Sequence, residues 1–270
     1  MNNITFIIHL RKDNEERVKN ANIIIPYFRK VVPGCKFIIV EDGVVQHFEY
    51  LSLPDDTTYI HFKNKGQHNK CMGYNLGLKA SVTDIVCFLD IDCLISDANI
   101  KKSIETALST DAICIGYNGV CIYFNYEAKS QLTTNQDAIY QFLESFIDKT
   151  NLYTSYTNEY YHVANTRAVG GALFGKRQTF INIGGFNPNF RGWGFEDNEI
   201  IIRAKKLNIP VFYINTNAPY LLHLPHISKE LKNKESSHVS YKLNEQEYTR
   251  IVNLSKIELV ETIKLWKNSL

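Results

Sequence analysis

The chain has 270 residues, 44% hydrophobic and 21% charged, which is typical of one large or two small globular domains. A formal net charge of +2 argues against a strongly basic nucleic-acid-binding protein and against a strongly acidic one. The six cysteines form no Cys-x-x-Cys pair, so we expect buried, reduced thiols in a cytoplasmic protein. We find neither a signal-peptide pattern nor an apolar run long enough to span a membrane.

Strand and helix patterns alternate in the first part of the chain. Strands are predicted at residues 4–8, 35–40, 58–62 and 85–89, and helices at residues 14–29 and 70–81. Pro26 falls late in the first helix and is expected to mark its end. This alternation predicts a parallel sheet with helices on its faces, and such sheets bind ligands beyond the carboxyl ends of their strands. Arg11, Asp42, Lys65 and Asp90 all fall at these ends.

The second part of the chain is less regular. Helices are predicted at residues 100–108 and 200–207, and strands at residues 112–117, 170–175 and 211–214. Residues 125–161 are polar and rich in tyrosine, with a helical piece near 138–147, and the pattern assigns them no role.

The end of the chain reads as a linker followed by a helix. Residues 228–242 are charged and polar, and residues 244–270 form an amphipathic pattern. Its apolar stripe includes Ile251, Leu254, Ile257 and Leu259. We favour packing of this helix on the protein itself, while its lysines leave open weak binding to anionic lipid.

Two carboxylates follow the strand at residues 85–89. Asp90 and Asp92 are expected to point to the same face, because residues two apart on a strand share a face. Two like charges at the end of a buried strand repel each other, and a divalent cation such as Mg²⁺ or Mn²⁺ relieves that repulsion. The alternative is a solvated strand end, since such spacing also arises by chance.

Residues 192–197 read Gly-Trp-Gly-Phe-Glu-Asp and lead into a helix. The glycines allow a tight turn close to a ligand, and Trp193 offers a flat apolar face for a sugar ring. Glu196 and Asp197 then lie at a helix start, where the helix dipole favours ionised carboxylates. The alternative is an ordinary helix start with acidic residues, which would leave the tryptophan and the two glycines unexplained.

These motifs resemble those of the GT-A glycosyltransferases. The order of four elements carries the resemblance: Asp90-Ile91-Asp92, Gly184-Gly185-Phe186, the 192–197 motif and a downstream His223. Within this group, the chain is most similar to the β-1,4-galactosyltransferases and the bacterial chondroitin-polymerase-type enzymes. The resemblance implies an α/β GT-A (Rossmann-like) fold with a mixed, mostly parallel sheet, flanking helices and a C-terminal helical extension. It also implies a glycosyltransferase domain at residues 1–227, with a nucleotide-binding part at about 1–96 and an acceptor-side part at about 166–227, before a linker and helical tail at 228–270.

The resemblance implies roles for individual residues. On the donor side, Arg11 would lie near the nucleotide, Asp42 would bond the uracil and Asp90 the ribose, and Lys70 and Asn75 would line the nucleotide. Metal ligands would be Asp92 and His223, with Asp90 and His226 as further candidates. On the acceptor side, Trp193 and Gly192 would contact sugar, Glu196 would hold an acceptor hydroxyl and Asp197 would be the base.

The implied reaction is the transfer of a hexose or N-acetylhexosamine from a UDP-sugar to a glycan or glycolipid acceptor, with inversion. Bound Mn²⁺, or alternatively Mg²⁺, would neutralise charge on the leaving diphosphate. The setting would be surface polysaccharide or lipid-linked glycan synthesis in the cytoplasm, with peripheral membrane contact and oligomerisation left open. Two alternatives remain: a sugar nucleotidyltransferase, although strand one is followed by no glycine-rich loop, and a non-catalytic sugar-nucleotide-binding module.

Overall fold

The computed structural model describes residues 3–11, 15–47, 55–132, 161–165, 167–226 and 234–267. Its helices are α1 (Glu15–Val31), α2 (Lys70–Ala80), α3 (Asp97–Ser109), α4 (Tyr126–Leu132), α5 (Arg177–Asn182), α6 (Glu196–Lys206), α7 (Lys234–Asn253) and α8 (Lys256–Lys267). Its strands are β1 (Ile4–Leu10), β2 (Lys36–Gly43), β3 (Thr57–Lys63), β4 (Ile85–Asp90), β5 (Cys93–Ile95), β6 (Ile113–Ile115), β7 (Val120–Phe124), β8 (Tyr161–Asn165), β9 (Ala172–Lys176), β10 (Val211–Tyr213) and β11 (Leu221–His223). The helical piece predicted near residues 138–147 lies outside the described residues.

A seven-stranded sheet forms the centre of the molecule, in the order β10-β6-β9-β4-β1-β2-β3. Its strands pair in parallel except β9, which runs antiparallel to both β4 and β6. The prediction of a mixed, mostly parallel sheet flanked by helices is therefore confirmed. A second sheet, in the order β5-β11-β7-β8, pairs His223 with Cys93 and so brings the end of β11 beside the turn after β4.

Continuous apolar runs explain why β1 and β4 lie at the centre. Every residue of β1 is buried, and β4 is buried up to its last residue, as expected where helices cover both faces of a sheet. Helix α2 lies very close to β1, because a Cβ on Gly77 would lie 2.2 Å from Cγ2 of Ile7. This close packing carries Lys70, the first residue of α2, to the carboxyl edge of the sheet.

Several predicted boundaries differ from the structure. Pro26 does not end α1, which continues to Val31 because Tyr27, Phe28 and Val31 keep its apolar face buried. Helix α3 begins at Asp97, where the side chain of Ser96 accepts a hydrogen bond from the backbone of Asn99 and caps the first turn. In each case packing or a capping contact outweighs the local pattern.

The linker predicted at residues 228–242 is partly wrong, since α7 begins at Lys234. Of the predicted apolar stripe, Ile251 and Leu259 are buried, whereas 78% of Ile257 is exposed. The helix is interrupted between α7 and α8, so one stripe does not continue across both helices. Among the described helices, none combines the length and hydropathy needed to cross a lipid bilayer.

Candidate active site

A largely buried lysine, with 11% of its side chain exposed, contacts three carboxylates at the edge of the central sheet; we call this group the Lys70 cluster. Nζ of Lys70 lies 2.9 Å from Oδ2 of Asp197 and 3.8 Å from Oε1 of Glu196. The same nitrogen lies 3.3 Å from Oδ2 of Asp90, whose Oδ1 accepts a hydrogen bond from the hydroxyl of Tyr74 at 2.6 Å. The end of β4 and the start of α6 thus meet at the first turn of α2.

The charges in the Lys70 cluster shift one another's ionisation. Burial, together with the neighbouring charge of Asp197, raises the pKa of Glu196 to about 7. Burial also raises the pKa of Asp197, against the opposing pull of Lys70. For Lys70, burial alone would lower the pKa, but the carboxylates of Asp197 and Asp90 raise it well above its usual value. The cluster therefore holds a stable cation beside two carboxyl groups that titrate as a pair.

The loop before α6 has an unusual backbone. Gly192 (φ 67°) and Gly194 (φ 113°) have left-handed φ values that glycine tolerates, but Phe195 has φ 70°, which is strained for a residue with a side chain. The backbone N–H of Gly192 donates to the carbonyl of His68 at 2.8 Å, and that of Gly194 donates to Oε2 of Glu196 at 2.9 Å. These contacts hold the loop against the start of α2 and fix one oxygen of Glu196.

A cleft of about 390 Å³ opens beside the Lys70 cluster. Its walls include Asp90, Glu196 and Asp197, and Trp193 lies at its edge with 65% of its surface exposed. Backbone packs directly on the acid, since a Cβ on Gly170 would lie 2.1 Å from Oδ2 of Asp197. The cleft combines an exposed aromatic face with acidic side chains, a combination suited to a sugar.

A second group of polar residues surrounds Asp92, and we call it the Asp92 cluster. Nε2 of His226 lies 2.9 Å from Oδ2 of Asp92, and Nε2 of His223 lies 3.8 Å from Oδ1. Sγ of Cys93 is 3.5 Å from the same Oδ1, and the guanidinium of Arg17 is 3.6 Å from Oδ2. Although burial alone would raise the pKa of Asp92, the two imidazoles and Arg17 hold it below its usual value.

The Asp92 cluster fits a divalent metal ion. The ligand atoms of Asp92, Cys93 and His223 all lie within 4.8 Å of one another. A carboxylate with imidazole nitrogens is a donor set that suits Mn²⁺, and the nearby thiol would also suit softer ions.

The prediction that Asp90 and Asp92 share a face is wrong. Strand β4 ends at Asp90, and Asp92 lies in the turn before β5, so the alternation of a strand no longer applies. Asp90 contacts Lys70 and Tyr74 instead, and it belongs to neither of the two groups of candidate metal ligands found among the described residues. Asp90 is therefore part of the Lys70 cluster, and its role as a metal ligand stays a prediction.

A third polar group lies at the ends of β1 and β2. Oδ2 of the buried Asp42 accepts hydrogen bonds from the backbone of Asn69 at 2.8 Å and the side chain of Asn64 at 3.0 Å. Oδ1 of Asp42 lies 3.6 Å from Nε of Arg11, and within the described part of the chain neither this oxygen nor Nε2 of His9 has a hydrogen-bond partner. Burial lowers the pKa of His9 and keeps the ring neutral. A planar polar ligand would satisfy both buried atoms.

Asn75 is positioned differently from its predicted role along a nucleotide. Its Nδ2 donates to the carbonyl of Phe186 at 2.8 Å, and its Oδ1 accepts from the N–H of Phe186 at 2.7 Å. Both polar atoms are thus used to fix the Gly-Gly-Phe turn to α2. These contacts give Asn75 a structural role, and its role along the nucleotide stays a prediction.

Sequence reasoning missed some members of these groups. Tyr74 lies one turn after Lys70, so helical spacing could have indicated that both side chains face the same carboxylate. Cys93 is predicted from the sequence only as one of six buried, reduced thiols. Arg17 reaches Asp92 from α1, and no local motif marks it.

The sequence matches the model of the family described as glycosyltransferase-like family 2 over residues 5–243. A comparison with curated proteins gave no match.

Solved glycosyltransferase structures resemble the chain. The catalytic domain of Drosophila β1,4-galactosyltransferase 7 with xylobiose is 15% identical, with a TM-score of 0.47 over 83% of this chain and 71% of that one. A mutant of the same enzyme with manganese, UDP-Gal and xylobiose is 15% identical, with a TM-score of 0.49 over 86% and 73%. GalNAc-T7 with UDP, GalNAc and Mn²⁺ is 11% identical, with a TM-score of 0.52 over 83% and 44%. This last likeness shows a shared fold.

Proposed function

Since the chain belongs to the glycosyltransferase-like family 2, we propose that it is a metal-dependent, inverting enzyme using a UDP-sugar. It moves a hexose or N-acetylhexosamine to a hydroxyl group of a glycan acceptor. The observation that carries this proposal is the Lys70 cluster, where Asp90 of β4 meets Glu196 and Asp197 of α6 in one cleft. An acid pair beside an aromatic face suits hydroxyl activation on a sugar.

The donor's diphosphate would be bound through the Asp92 cluster. Asp92, His223 and His226 would hold Mn²⁺, with Mg²⁺ as the alternative ion. Such an ion neutralises negative charge on the departing diphosphate. GalNAc-T7, which shares the fold, was crystallised with UDP and Mn²⁺, and this supports the choice of ion.

The uracil of the donor would occupy the polar group at the ends of β1 and β2. Uracil carries an N–H between two carbonyls, and its N–H would donate to the unsatisfied Oδ1 of Asp42. Its carbonyls would accept hydrogen bonds from Arg11 and from the neutral ring of His9. Asp90, with Lys70, would then contact the ribose and the transferred sugar, between the base and the Asp92 cluster.

Asp197 is the base in this proposal. About 22% of its side chain is exposed, against 7% for Glu196, and one oxygen of Glu196 already accepts the N–H of Gly194. The acceptor hydroxyl gives its proton to Asp197, its oxygen bonds to the anomeric carbon, and the bond to the diphosphate breaks. One displacement inverts the anomeric carbon, and Glu196 orients the acceptor hydroxyl.

The wider setting extends the proposal. Residues 1–227 would form the glycosyltransferase domain, and the remaining residues, with helices α7 and α8, would form a C-terminal tail. The acceptor would be a growing surface polysaccharide or a lipid-linked glycan, at the cytoplasmic face of a membrane. UDP-GalNAc, UDP-Gal and UDP-GlcNAc are the candidate donors.

UDP release from these three donors tests the function. We expect Mn²⁺-dependent release of UDP from one donor, increased by a suitable glycan. Pyrophosphate formation would instead indicate a nucleotidyltransferase, and binding without release would indicate a non-catalytic module.

Calorimetry tests the proposed metal site separately. We expect UDP affinity to collapse in EDTA and to return with Mn²⁺, and less fully with Mg²⁺, because imidazole ligands suit the softer ion. Equal UDP affinity with and without EDTA would overturn the assignment of Asp92 and His223.

A further inference from the structure

One side chain of α7 holds the backbone of the loop before α6. Asn244 is buried, with 2% of its surface exposed. Its Oδ1 accepts a hydrogen bond from the N–H of Arg191 at 3.2 Å. Its Nδ2 lies 2.8 Å from the carbonyl of Arg191, 3.1 Å from that of Gly194 and 3.4 Å from that of Trp193. A single amide therefore contacts backbone groups of three residues of this loop, Arg191, Trp193 and Gly194.

Aromatic side chains of α7 cover the same loop. The ring of Tyr241 stacks on Trp193, with centroids 5.9 Å apart and planes inclined by 24°. The ring of Phe195 lies 5.0 Å from Tyr241 and 5.2 Å from Tyr248. Tyr241 thus supports one side of Trp193, whose surface is otherwise mostly exposed.

The loop depends on outside support because its backbone is strained. Phe195 has a left-handed φ value, which costs energy for a residue with a side chain and persists only where surrounding contacts enforce it. The next two residues are Glu196 and Asp197, and Gly194 bonds directly to Glu196. A shift of the loop would therefore move Trp193 and Glu196 together.

We propose that Asn244 is a positioning residue that fixes the acceptor side of the site through the loop at residues 191–194. The inference rests on the proposed function, because it assigns Trp193 and Glu196 to the acceptor. Asn244 lies on α7, so the contact joins a C-terminal helix to the loop that leads into α6.

The proposal separates the two substrates. The hydrogen bonds of Asn244 to described residues all go to the 191–194 loop and none goes to the Asp92 cluster or Asp42, so the donor side of the site should not depend on it. We expect Asn244→Ala to raise the acceptor KM by about 10–100-fold, the scale on which misplaced positioning groups act. The donor KM and the UDP affinity should stay within about twofold of the wild type, since no group argued to bind the donor is altered. Lys242→Ala, an exposed change on the same helix, is the matched control and should leave both constants unchanged.

A second variant guards against loss of folding. Asn244→Asp keeps the size of the side chain and its accepting oxygen but removes the amide donor, so it should shift the acceptor KM in the same direction. Initial rates would be measured as UDP release, using the active donor of the three and methyl β-glycosides of common hexoses and N-acetylhexosamines as acceptor probes. An unchanged acceptor KM, with kcat reduced only in proportion to the folded fraction, would overturn the proposal.

Tryptophan fluorescence tests whether Asn244 holds the 191–194 loop, and it requires no enzyme turnover. The chain has two tryptophans, and 65% of Trp193 but only 7% of Trp266 is exposed, so acrylamide quenching reports mainly on Trp193. Quenching should increase in Asn244→Ala and Asn244→Asp and stay unchanged in Lys242→Ala. If no donor releases UDP, the proposed function fails, yet quenching still decides whether Asn244 holds the loop. Equal quenching in all four proteins would overturn the inference.

Discussion

At the level of single residues, Lys70 influences the ionisation of the acidic side chains around it. Removing an ammonium group from water is unfavourable, and here three carboxylates offset that loss. Burial alone would favour the protonated form of Asp197, and the ammonium group of Lys70 opposes this effect. The ammonium group lies closer to Asp197 than to Glu196. Two neighbouring carboxyl groups with different surroundings can take different roles, which is the physical basis for naming Asp197 as the base.

Substitution of the proposed base should slow the chemical step without weakening donor binding. Asp197→Asn keeps shape and most hydrogen bonds but cannot accept a proton, so transfer should fall by about 10²–10⁴-fold while UDP affinity with Mn²⁺ stays nearly intact.

Substitutions of Asp92 and Glu196 should act differently. Asp92→Ala removes a proposed metal ligand and should weaken donor binding and turnover together. Glu196→Gln should mainly raise the acceptor KM. Steady-state kinetics on the three variants measures kcat and the acceptor KM, and calorimetry measures the affinity for UDP.

The alternative assignment makes Glu196 the base and predicts the reverse order of damage. Near-full transfer by Asp197→Asn, with none by Glu196→Gln, would therefore contradict our assignment. Activity in both variants would make the 192–197 motif structural and place the chemistry elsewhere.

Glu196 should also make stability depend on pH. Burial raises its folded-state pKa from 4.5 to about 7, so the unfolded chain releases this proton at lower pH than the folded protein does. This contribution to stability is fully present below pH 4.5 and is lost as the pH rises through 7. Glu196→Gln should therefore gain about 1–3 kcal/mol over the wild type at pH 8 and much less at pH 5.

Urea unfolding at the two pH values, in EDTA, measures this difference. Glu261→Gln is the control, because Glu261 is exposed on α8 and pairs only with Lys264 among the described contacts. A gain of the same size at pH 5 and pH 8 would show that titration of Glu196 is not its cause.

At the level of helices and strands, the sequence predicted elements whose burial is uniform. Strands β1 and β4 are apolar along their length, so their pattern needed no knowledge of neighbours. Strands β5 and β7 were missed: β5 has only three residues, and β7, although apolar, follows a short turn directly after the preceding predicted strand. Strand β9 was predicted, but its antiparallel direction depends on contacts with β4 and β6 that no local pattern contains.

The candidate site was also predictable only in part. The acidic residues at a strand end and at a helix start, and Trp193 between two glycines, can be recognised from the sequence. Their partners come from distant elements: Arg17 of α1 contacts Asp92, and Asn244 of α7 bonds to the backbone of Gly194. The contacts of Asn75 with the backbone of Phe186 were equally invisible in the sequence, because they join α2 to a turn 111 residues away.

At the level of the whole molecule, the C-terminal helices complete the fold around the site. Ile251, Leu259, Ile263 and Trp266 form a small buried cluster, with Leu207 of the α6 region packed against it. A Cβ on Gly184 would lie 3.0 Å from Cγ2 of Ile263, so α8 lies against the Gly-Gly-Phe turn. The guanidinium of Arg203 lies 5.1 Å from the ring of Trp266. The apolar side of the tail is therefore occupied by the protein itself.

This packing predicts how the tail behaves near lipid. What remains exposed on α8 is a mixture of apolar and charged side chains: Lys256, Ile257, Glu258, Val260, Glu261, Lys264, Leu265 and Lys267. Three lysines and two glutamates leave a net charge of only +1 on this face, too little to attract anionic lipid strongly, at about 1 kcal/mol per unpaired basic residue.

We therefore expect the full chain not to float with vesicles containing anionic lipid at physiological salt. A chain ending at residue 254 should instead be less stable in urea, because Ile251 and Leu207 lose the partners that α8 supplies. Lys264→Glu tests the charge without disturbing the buried cluster, and it should change neither flotation nor stability by much. Flotation of the full chain that is lost both in the truncated chain and in Lys264→Glu would contradict this and make α8 a membrane-binding helix.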